Sequence, residues 1–168
     1  MTAPVLVAGV GNVFFGDDGF GVEVARRLCR DALPPGVEVV DFGIGGMQLA
    51  FRLLDPLRLV VIVDVAPRGG PPGALYVLEP EVEGAGDAAG DAHGMDVAAV
   101  LAMARAMGGT LPPVRIVGCE PLEIAERIGL SAPVAAAVAP AARLVRDLVE
   151  REDFSAAAYA AIDTEVRG

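Results

Sequence analysis

Three acidic residues and the single histidine of this sequence are the residues best suited to chemistry. Asp17 and Asp18 are adjacent in a glycine-rich segment, Asp64 follows a run of five apolar residues, and His93 lies further along the chain. A carboxylate that ends a buried strand is costly to desolvate unless it is paired or bound to a metal. Asp18, Asp64 and His93 would form an open oxygen and nitrogen ligand set, which suits a first-row divalent ion such as nickel, iron or zinc.

Each of these residues also has a purely structural explanation. Asp17 or Asp18 would cap a helix beginning near Gly19, where the helix dipole favours an acidic side chain. Asp64 would accept hydrogen bonds from backbone amides in the next turn, and His93 would stand at the start of a later helix. Only the convergence of the three ligands at one rim of a sheet favours a functional site.

Short apolar runs rich in valine predict the strands that would position these residues. Continuous rather than alternating apolar residues indicate strands buried on both faces, as in a parallel sheet. The predicted strands are 4–10, 36–41, 58–66, 73–79 and 114–118, and the predicted helices are 19–32, 46–54, 93–107 and 133–150. Their alternation predicts an α/β fold, a three-layer α/β/α sandwich with a mostly parallel, twisted sheet of about five strands.

Some segments carry more specific predictions. Strand 73–79 follows its predecessor after a few residues only, so we expect an antiparallel neighbour, because a parallel crossover needs a longer connection. Pro140 is expected to kink or split the last helix. Residues 1–150 are predicted to form one domain and 151–168 a loosely attached tail, and segment 83–92 is predicted to be a surface loop.

Composition excludes several classes of protein. The 168 residues include no lysine, so the chain forms neither a Schiff base nor a Gly-Lys-Ser/Thr phosphate-binding loop. A formal net charge of −10 opposes binding to nucleic acid and to anionic membranes. No apolar run reaches the roughly 20 residues of a membrane span, and no basic segment precedes the first run. A cytoplasmic protein is therefore expected.

Two other classes of function stay open as alternatives. Gly9–Gly21 would suit a non-catalytic nucleotide- or anion-binding module, but Phe14 replaces the third glycine of a dinucleotide fingerprint and the acidic pair would repel a pyrophosphate. A nucleophilic hydrolase would use Ser131 or Cys119 with His93 as its base. Ser131 precedes a predicted helix, which favours capping.

The two cysteines, Cys29 and Cys119, are too few for a disulfide framework or a paired-cysteine zinc site. Cys119 ends an apolar run, where burial is the common fate of a thiol. We expect both cysteines to be reduced and buried.

Five motifs resemble, in this order, those of the hydrogenase maturation endopeptidases. They are Gly9–Gly21, Asp41–Leu49, Ile62–Asp64, Ala92–Met95 and Val117–Pro121. A glycine-rich loop alone would be weak evidence, whereas five ordered motifs make coincidence improbable. The resemblance extends over most of the chain and implies the α/β fold that the apolar runs predict.

The resemblance implies an endopeptidase that removes a short C-terminal peptide from the nickel-loaded large-subunit precursor of a [NiFe] hydrogenase. It also implies that Asp18, Asp64 and His93 recognise the metal. Nickel would arrive already inserted in the precursor, although the isolated protein could bind another divalent metal. The expected partner is this precursor, with neither nucleic acid nor membrane, and the protein is expected to be a monomer.

The first two motifs supply the predicted substrate and loop residues, Gly11, Asn12, Asp41 and Gly43. This chain departs from the family where many members have Asp-Gly-Gly-Thr, because Asp41 is followed by Phe-Gly-Ile and a hydroxyl is lost. A second departure is Asp18, where some members have the longer glutamate. These differences bear on precursor specificity and on ligand geometry.

Asp17 and Asp18 are the predicted catalytic residues. A metal held by Asp18, Asp64 and His93 would bring the scissile bond beside the first loop. Recognition of the metal would thus place the peptide bond close to the catalytic residues. Asp17 would orient or deprotonate a water molecule. Alternatively, the metal would polarise the carbonyl as a Lewis acid. A further alternative is a sensor or chaperone that docks on the precursor without cutting it.

Overall fold

The computed structural model describes residues 3–80 and 96–151, and their strands and helices alternate as predicted. A 3₁₀ turn at Gly16–Gly19 precedes the first helix. The strands are β1 (Val5–Val10), β2 (Val37–Gly43), β3 (Leu59–Val65), β4 (Leu75–Leu78) and β5 (Val114–Cys119), and the helices are α1 (Phe20–Leu28), α2 (Gly46–Arg52), α3 (Val97–Ala106) and α4 (Ala132–Glu150).

The five strands form one sheet in the order β2-β1-β3-β5-β4. Strands β1, β2, β3 and β5 are mutually parallel, while β4 pairs antiparallel with β5, as the short connection before it predicted. The chain leaves β1 for β2 on one side and returns to β3 on the other side. In open α/β sheets, ligand sites lie outside the carboxyl ends of the strands at such a reversal.

Helices cover both faces of the sheet and confirm the three-layer α/β/α sandwich. Alternate residues of β1 point to opposite faces, because side chains alternate along a strand. Val5 and Val7 pack with α1 and α4 in one apolar core. Leu6 and Ala8 pack with α2 and α3 in the other core.

Glycines let the start of α1 lie directly against the ends of β1 and β3. A Cβ atom at Gly21 would stand 2.0 Å from the carbonyl oxygen of Val63 and 2.3 Å from that of Val10. A Cβ atom at Gly9 would stand 2.4 Å from the carbonyl oxygen of Gly21. No side chain fits in these gaps, so the glycines bring the turn before α1 to the edge where the two strands end.

Helix α4 runs continuously from Ala132 to Glu150 through Pro140, so this proline does not split the helix, and of the two predicted effects only a kink stays a prediction. A proline removes one hydrogen bond of the helix and crowds the preceding turn. The helix is retained because its inner face is buried along its length in the core of that face, with Ala137, Ala141 and Leu144 among the buried residues.

Helices α1 and α2 end earlier than the sequence predicted, at Leu28 and Arg52. Helix α3 begins at Val97, where the Asp96 side chain accepts a hydrogen bond from the amide of Ala98 at 3.0 Å. The loop predicted at 83–92 and the tail beyond Arg151 lie outside the described residues.

The two cysteines differ in burial. Cys119 is buried as expected, whereas Cys29 is exposed, so that part of the prediction was wrong. Cys29 is the residue that follows the last residue of α1. Among the helices of the described ranges, none combines the length and the apolar character that crossing a membrane requires.

Candidate active site

The loop after β1 folds tightly around the backbone of Asp18. Gly11 has a φ of 141°, and a Cβ atom there would stand 1.9 Å from the carbonyl oxygen of Asp18. The amide of Asn12 donates to Oδ2 of Asp18 at 2.9 Å, and Oδ1 of Asn12 accepts from the amide of Phe14 at 3.0 Å. Asp18 is therefore held in place, almost wholly buried, by the predicted loop residues Gly11 and Asn12.

Neither acidic residue of the first loop caps α1. The residue before the helix is Gly19, and no side chain forms a capping hydrogen bond there. The structural explanation of Asp17 and Asp18 as helix caps was therefore wrong.

Asp64 lies near the end of β3, beside the loop that carries Asp18. Its Oδ1 accepts a hydrogen bond from the amide of Val65 at 2.8 Å. Burial raises the pKa of Asp64 well above its ordinary value; the bond from Val65 opposes this rise, and the negative charge of Asp18 adds to it. The structure thus brings two of the three predicted ligands close enough to interact electrostatically.

The third predicted ligand, His93, lies outside the described residues. Within residues 3–80 and 96–151, no group of three or more histidine, cysteine or acidic side chains could hold a metal ion. The pair of carboxylates nevertheless fits a cation, because two negative charges in a partly buried place disfavour each other until a positive charge offsets them. The ligand trio stays a prediction of the sequence.

Asp17 is fully buried and accepts hydrogen bonds from three residues that follow β5. Its Oδ2 accepts from the amides of Leu122 at 2.8 Å and Glu123 at 3.0 Å. Ser131 donates twice, from its amide to Oδ1 at 2.7 Å and from its hydroxyl to Oδ2 at 2.9 Å. One carboxylate thus connects the first loop to the whole segment between β5 and α4.

These contacts suit a structural role for Asp17. Burial alone would raise the pKa of Asp17, but the hydrogen bonds from Glu123, Ser131 and Leu122 outweigh it, and the pKa lies below its ordinary value. A carboxylate with four donors and no exposed surface is better placed to join two segments than to activate water. The catalytic role of Asp17 stays a prediction.

Ser131 is the first residue before α4, as predicted, yet its hydroxyl makes no capping hydrogen bond. It donates to Asp17 instead. Sequence reasoning missed this contact because the two residues are separated by 114 positions and no local pattern connects them.

The structure disfavours Cys119 as a nucleophile. Burial raises the pKa of its thiol to about 12, and the charges of Asp17 and Glu120 contribute. The thiolate is the reactive form of cysteine, so this thiol is inert near neutral pH.

The loop after β2 is attached to the loop after β1. The amide of Gly11 donates to the carbonyl oxygen of Gly43 at 2.9 Å, and Oδ1 of Asp41 accepts from the amide of Gly43 at 2.9 Å. Gly43 has a φ of 55°, a conformation that favours glycine. The predicted substrate and loop residues therefore form one connected structure beside Asp18.

Exposed apolar side chains stand on the loops around this edge of the sheet. Phe14 is 63% exposed, Ile44 71% and Ile128 76%. Single exposed apolar residues are common on protein surfaces. No pattern in the sequence predicts their exposure.

Comparison with known proteins assigns the family. The family model described as hydrogenase maturation protease matches residues 22–148. A putative hydrogenase maturation protease of Methanocaldococcus jannaschii is 32% identical over 146 residues, which cover 84% of this chain and 93% of that protein. The hydrogenase 2 maturation protease of Escherichia coli is 30% identical over 139 residues, which cover 82% of this chain and 85% of that protein.

Solved structures agree with these relatives in sequence and fold. The hydrogenase-maturating endopeptidase HybD from E. coli superposes with a TM-score of 0.75 at 30% identity, covering 88% of this chain and 93% of that one. A hydrogenase 2 maturation peptidase from a Thaumarchaeota archaeon gives 0.68 at 35% identity, covering 88% and 98%. By sequence motifs, family model, relatives and fold together, this chain belongs to the hydrogenase maturation protease family.

Proposed function

We propose that this protein is the endopeptidase that removes a C-terminal peptide from the nickel-loaded large-subunit precursor of a [NiFe] hydrogenase. The family membership supports a protease that acts in hydrogenase maturation. Recognition of the metal through Asp18, Asp64 and His93 is the finer part of the proposal. In this proposal nickel is part of the substrate, because it arrives in the precursor.

The observation that supports metal recognition best is the pairing of Asp18 with Asp64. Asp64 is the last residue but one of β3, and Asp18 lies in the turn that follows β1. The sheet topology reverses between these two strands, and open α/β sheets bind ligands at such a point. Burial raises the pKa of Asp64, and the negative charge of Asp18 adds to this rise, so an ionised Asp64 favours a nearby positive charge. A divalent cation from the precursor would supply that charge.

The residues around this pair would hold the precursor in position. Gly11, Asn12, Asp41 and Gly43 fix the two loops that flank Asp18. A precursor bound through its metal would present the adjacent peptide bond to these loops, so that recognition and cleavage occur in one place. Asp17 would maintain this arrangement by joining the segment after β5 to the first loop.

The test is processing of a purified, nickel-loaded large-subunit precursor, followed by intact mass spectrometry. The wild-type protein is expected to shorten the precursor by a C-terminal peptide only when nickel is present. Asp18→Asn, Asp64→Asn and His93→Ala should each slow processing by at least about a hundredfold, as expected when a ligand of a required metal is lost.

Asp147→Asn is the matched control, since it removes the same charge from an exposed position on α4. This variant should process the precursor at the wild-type rate. Unchanged precursor mass with the cognate, nickel-loaded substrate would overturn the protease assignment and favour a docking chaperone. Full activity in all three site variants would keep the protease and overturn the proposed metal site.

A further inference from the structure

A groove beside the first loop has features that metal recognition does not use. It is a cavity of about 530 Å³ between α1, α4 and the segment before α4. Its apolar lining includes Ile128, Leu130 and Val138. Ile128 is 76% exposed, so an apolar surface faces the opening.

Three arginines of α1 and the turn after it form the polar side of this groove together with one carboxylate, Glu23. Arg26, Arg27 and Arg30 all line it, and all three are exposed. Arg26 and Arg27 lie in the last turn of α1 and Arg30 follows in the turn after it, so all three reach the same groove. This concentration of positive charge is unusual in a chain with a formal net charge of −10.

The arginines differ in how their charge is compensated. Arg26 lies 3.1 Å from a carboxylate oxygen of Glu23 and 3.7 Å from one of Asp41. Arg27 and Arg30 form no ion pair with any residue in the described ranges. Two guanidinium groups next to an apolar surface suit a ligand that carries both apolar side chains and a carboxylate.

The groove begins at the candidate active site. Gly16 and Gly19, which flank the acidic pair, line one part of it, and Arg30 lines another. Arg30 follows Gly19 by eleven positions, a separation that corresponds to about 16 Å along a helix. An extended peptide of about five residues has the same length.

We infer that this groove binds the segment of the precursor on the C-terminal side of the cleaved bond. The apolar side chains of that segment lie on Ile128, Leu130 and Val138, and its carboxylate groups, including the terminal one, pair with Arg27 and Arg30. This inference rests on the proposed function and names the part of the substrate that the metal site does not hold. The groove thus contributes to the choice of precursor.

The first experiment measures binding without cleavage, by fluorescence anisotropy. The probe is a labelled hexapeptide of alternating leucine and glutamate with a free C-terminal carboxylate, compared with the same peptide as its C-terminal amide. The full-length wild type should bind the free acid more tightly than the amide. The double variant Arg27→Gln/Arg30→Gln should bind the free acid about tenfold more weakly.

The matched control is Arg105→Gln, which removes an exposed arginine at the end of α3, on the opposite face of the sheet. It should bind the peptide like the wild type. On the nickel-loaded precursor, the double variant should raise KM about tenfold and leave kcat unchanged, because the binding energy that is lost is the same in the ground state and in the transition state.

The outcomes separate this inference from the proposed function. Normal precursor processing with unchanged peptide affinity and unchanged KM in the double variant would overturn the groove assignment and keep the protease. The other outcome is peptide binding that depends on both arginines but no processing of the precursor. This result would overturn the assignment as a protease, and with it the inference that the groove binds the precursor.

Discussion

At the scale of single residues, the adjacent acids Asp17 and Asp18 have different surroundings. Asp17 faces the segment after β5 and accepts four hydrogen bonds. Asp18 accepts a hydrogen bond from the amide of Asn12, and its negative charge adds to the rise in the pKa of Asp64. The two residues are the same amino acid at adjacent positions. Their roles differ because the fold points their side chains in different directions.

Replacing Asp17 with Asn is expected to lower the free energy of unfolding by about 3 kcal/mol, because an amide nitrogen then faces buried donors. Ser131→Ala removes one of the four bonds and should cost about 1 kcal/mol. Urea denaturation measures both changes. Asp147→Asn is the control and should be neutral; an equal effect of all three variants would contradict the structural role of Asp17.

Asp64 is expected to make the stability of the metal-free protein depend on pH. Its raised pKa means that the folded state binds the proton more tightly than the unfolded chain does. Binding of this proton therefore contributes fully to the free energy of unfolding below the ordinary pKa of 3.8. The contribution is lost as the pH rises through the raised pKa of Asp64 in the folded state.

The prediction is that Asp64→Asn has a higher Tm than the wild type near pH 7, and that the difference shrinks near pH 4. Thermal unfolding in the presence of a chelator measures it. Asp147→Asn should show no such trend. An Asp64→Asn variant with the wild-type Tm at both pH values would mean that the carboxylate carries no penalty for ionisation.

At the scale of elements, the carboxyl ends of the parallel strands and the close approach of α1 to β1 at Gly9 and Gly21 bring the site together. The continuity of α4 shows how burial of a helix face overrides a local preference. Pro140 disfavours the helix, yet the helix continues because its inner residues pack on the sheet.

Pro140→Ala is therefore expected to raise the free energy of unfolding by about 1 kcal/mol, through the recovered hydrogen bond and the relieved crowding. Pro133 is the matched control because it lies in the first turn of α4, where a proline is tolerated. Pro133→Ala should give no gain. Chemical denaturation of the two variants tests this, and destabilisation by Pro140→Ala would show that the ring itself contributes to packing.

At the scale of the whole molecule, two apolar cores lie on opposite faces of one sheet, and an apolar stripe remains on the surface. The stripe consists of exposed side chains on and around α2, namely Ile44, Met47, Phe51 and Leu54. Such a stripe would suit contact with a partner protein or with a second copy of the chain.

The sequence predicts a monomer, so light scattering of the purified protein should give a mass near 17.2 kDa. Phe51→Glu places a charge in the stripe and should leave this mass unchanged. A wild-type mass of twice that value, reduced by Phe51→Glu, would identify the stripe as a dimer interface and contradict the monomer prediction.

The sequence alone predicted the sheet, the antiparallel edge strand and the family. Apolar runs identify strands such as β1 and β3 because burial on both faces leaves no position for a polar residue. The ordered motifs identified the family because they consist of residue types that the candidate site requires at loop positions. The pairing of Asp18 with Asp64 was anticipated because parallel strands end at the same edge.

Only the tertiary structure decided the partners of Asp17, the exposure of Cys29 and the continuity of α4. The bond between Asp17 and Ser131 joins residues 114 positions apart. A hydrogen-bond partner at that separation depends on how the chain folds, and residue type alone does not specify it. The groove with Arg27 and Arg30 arises in the same way, because its two sides come from helices at opposite ends of the described chain.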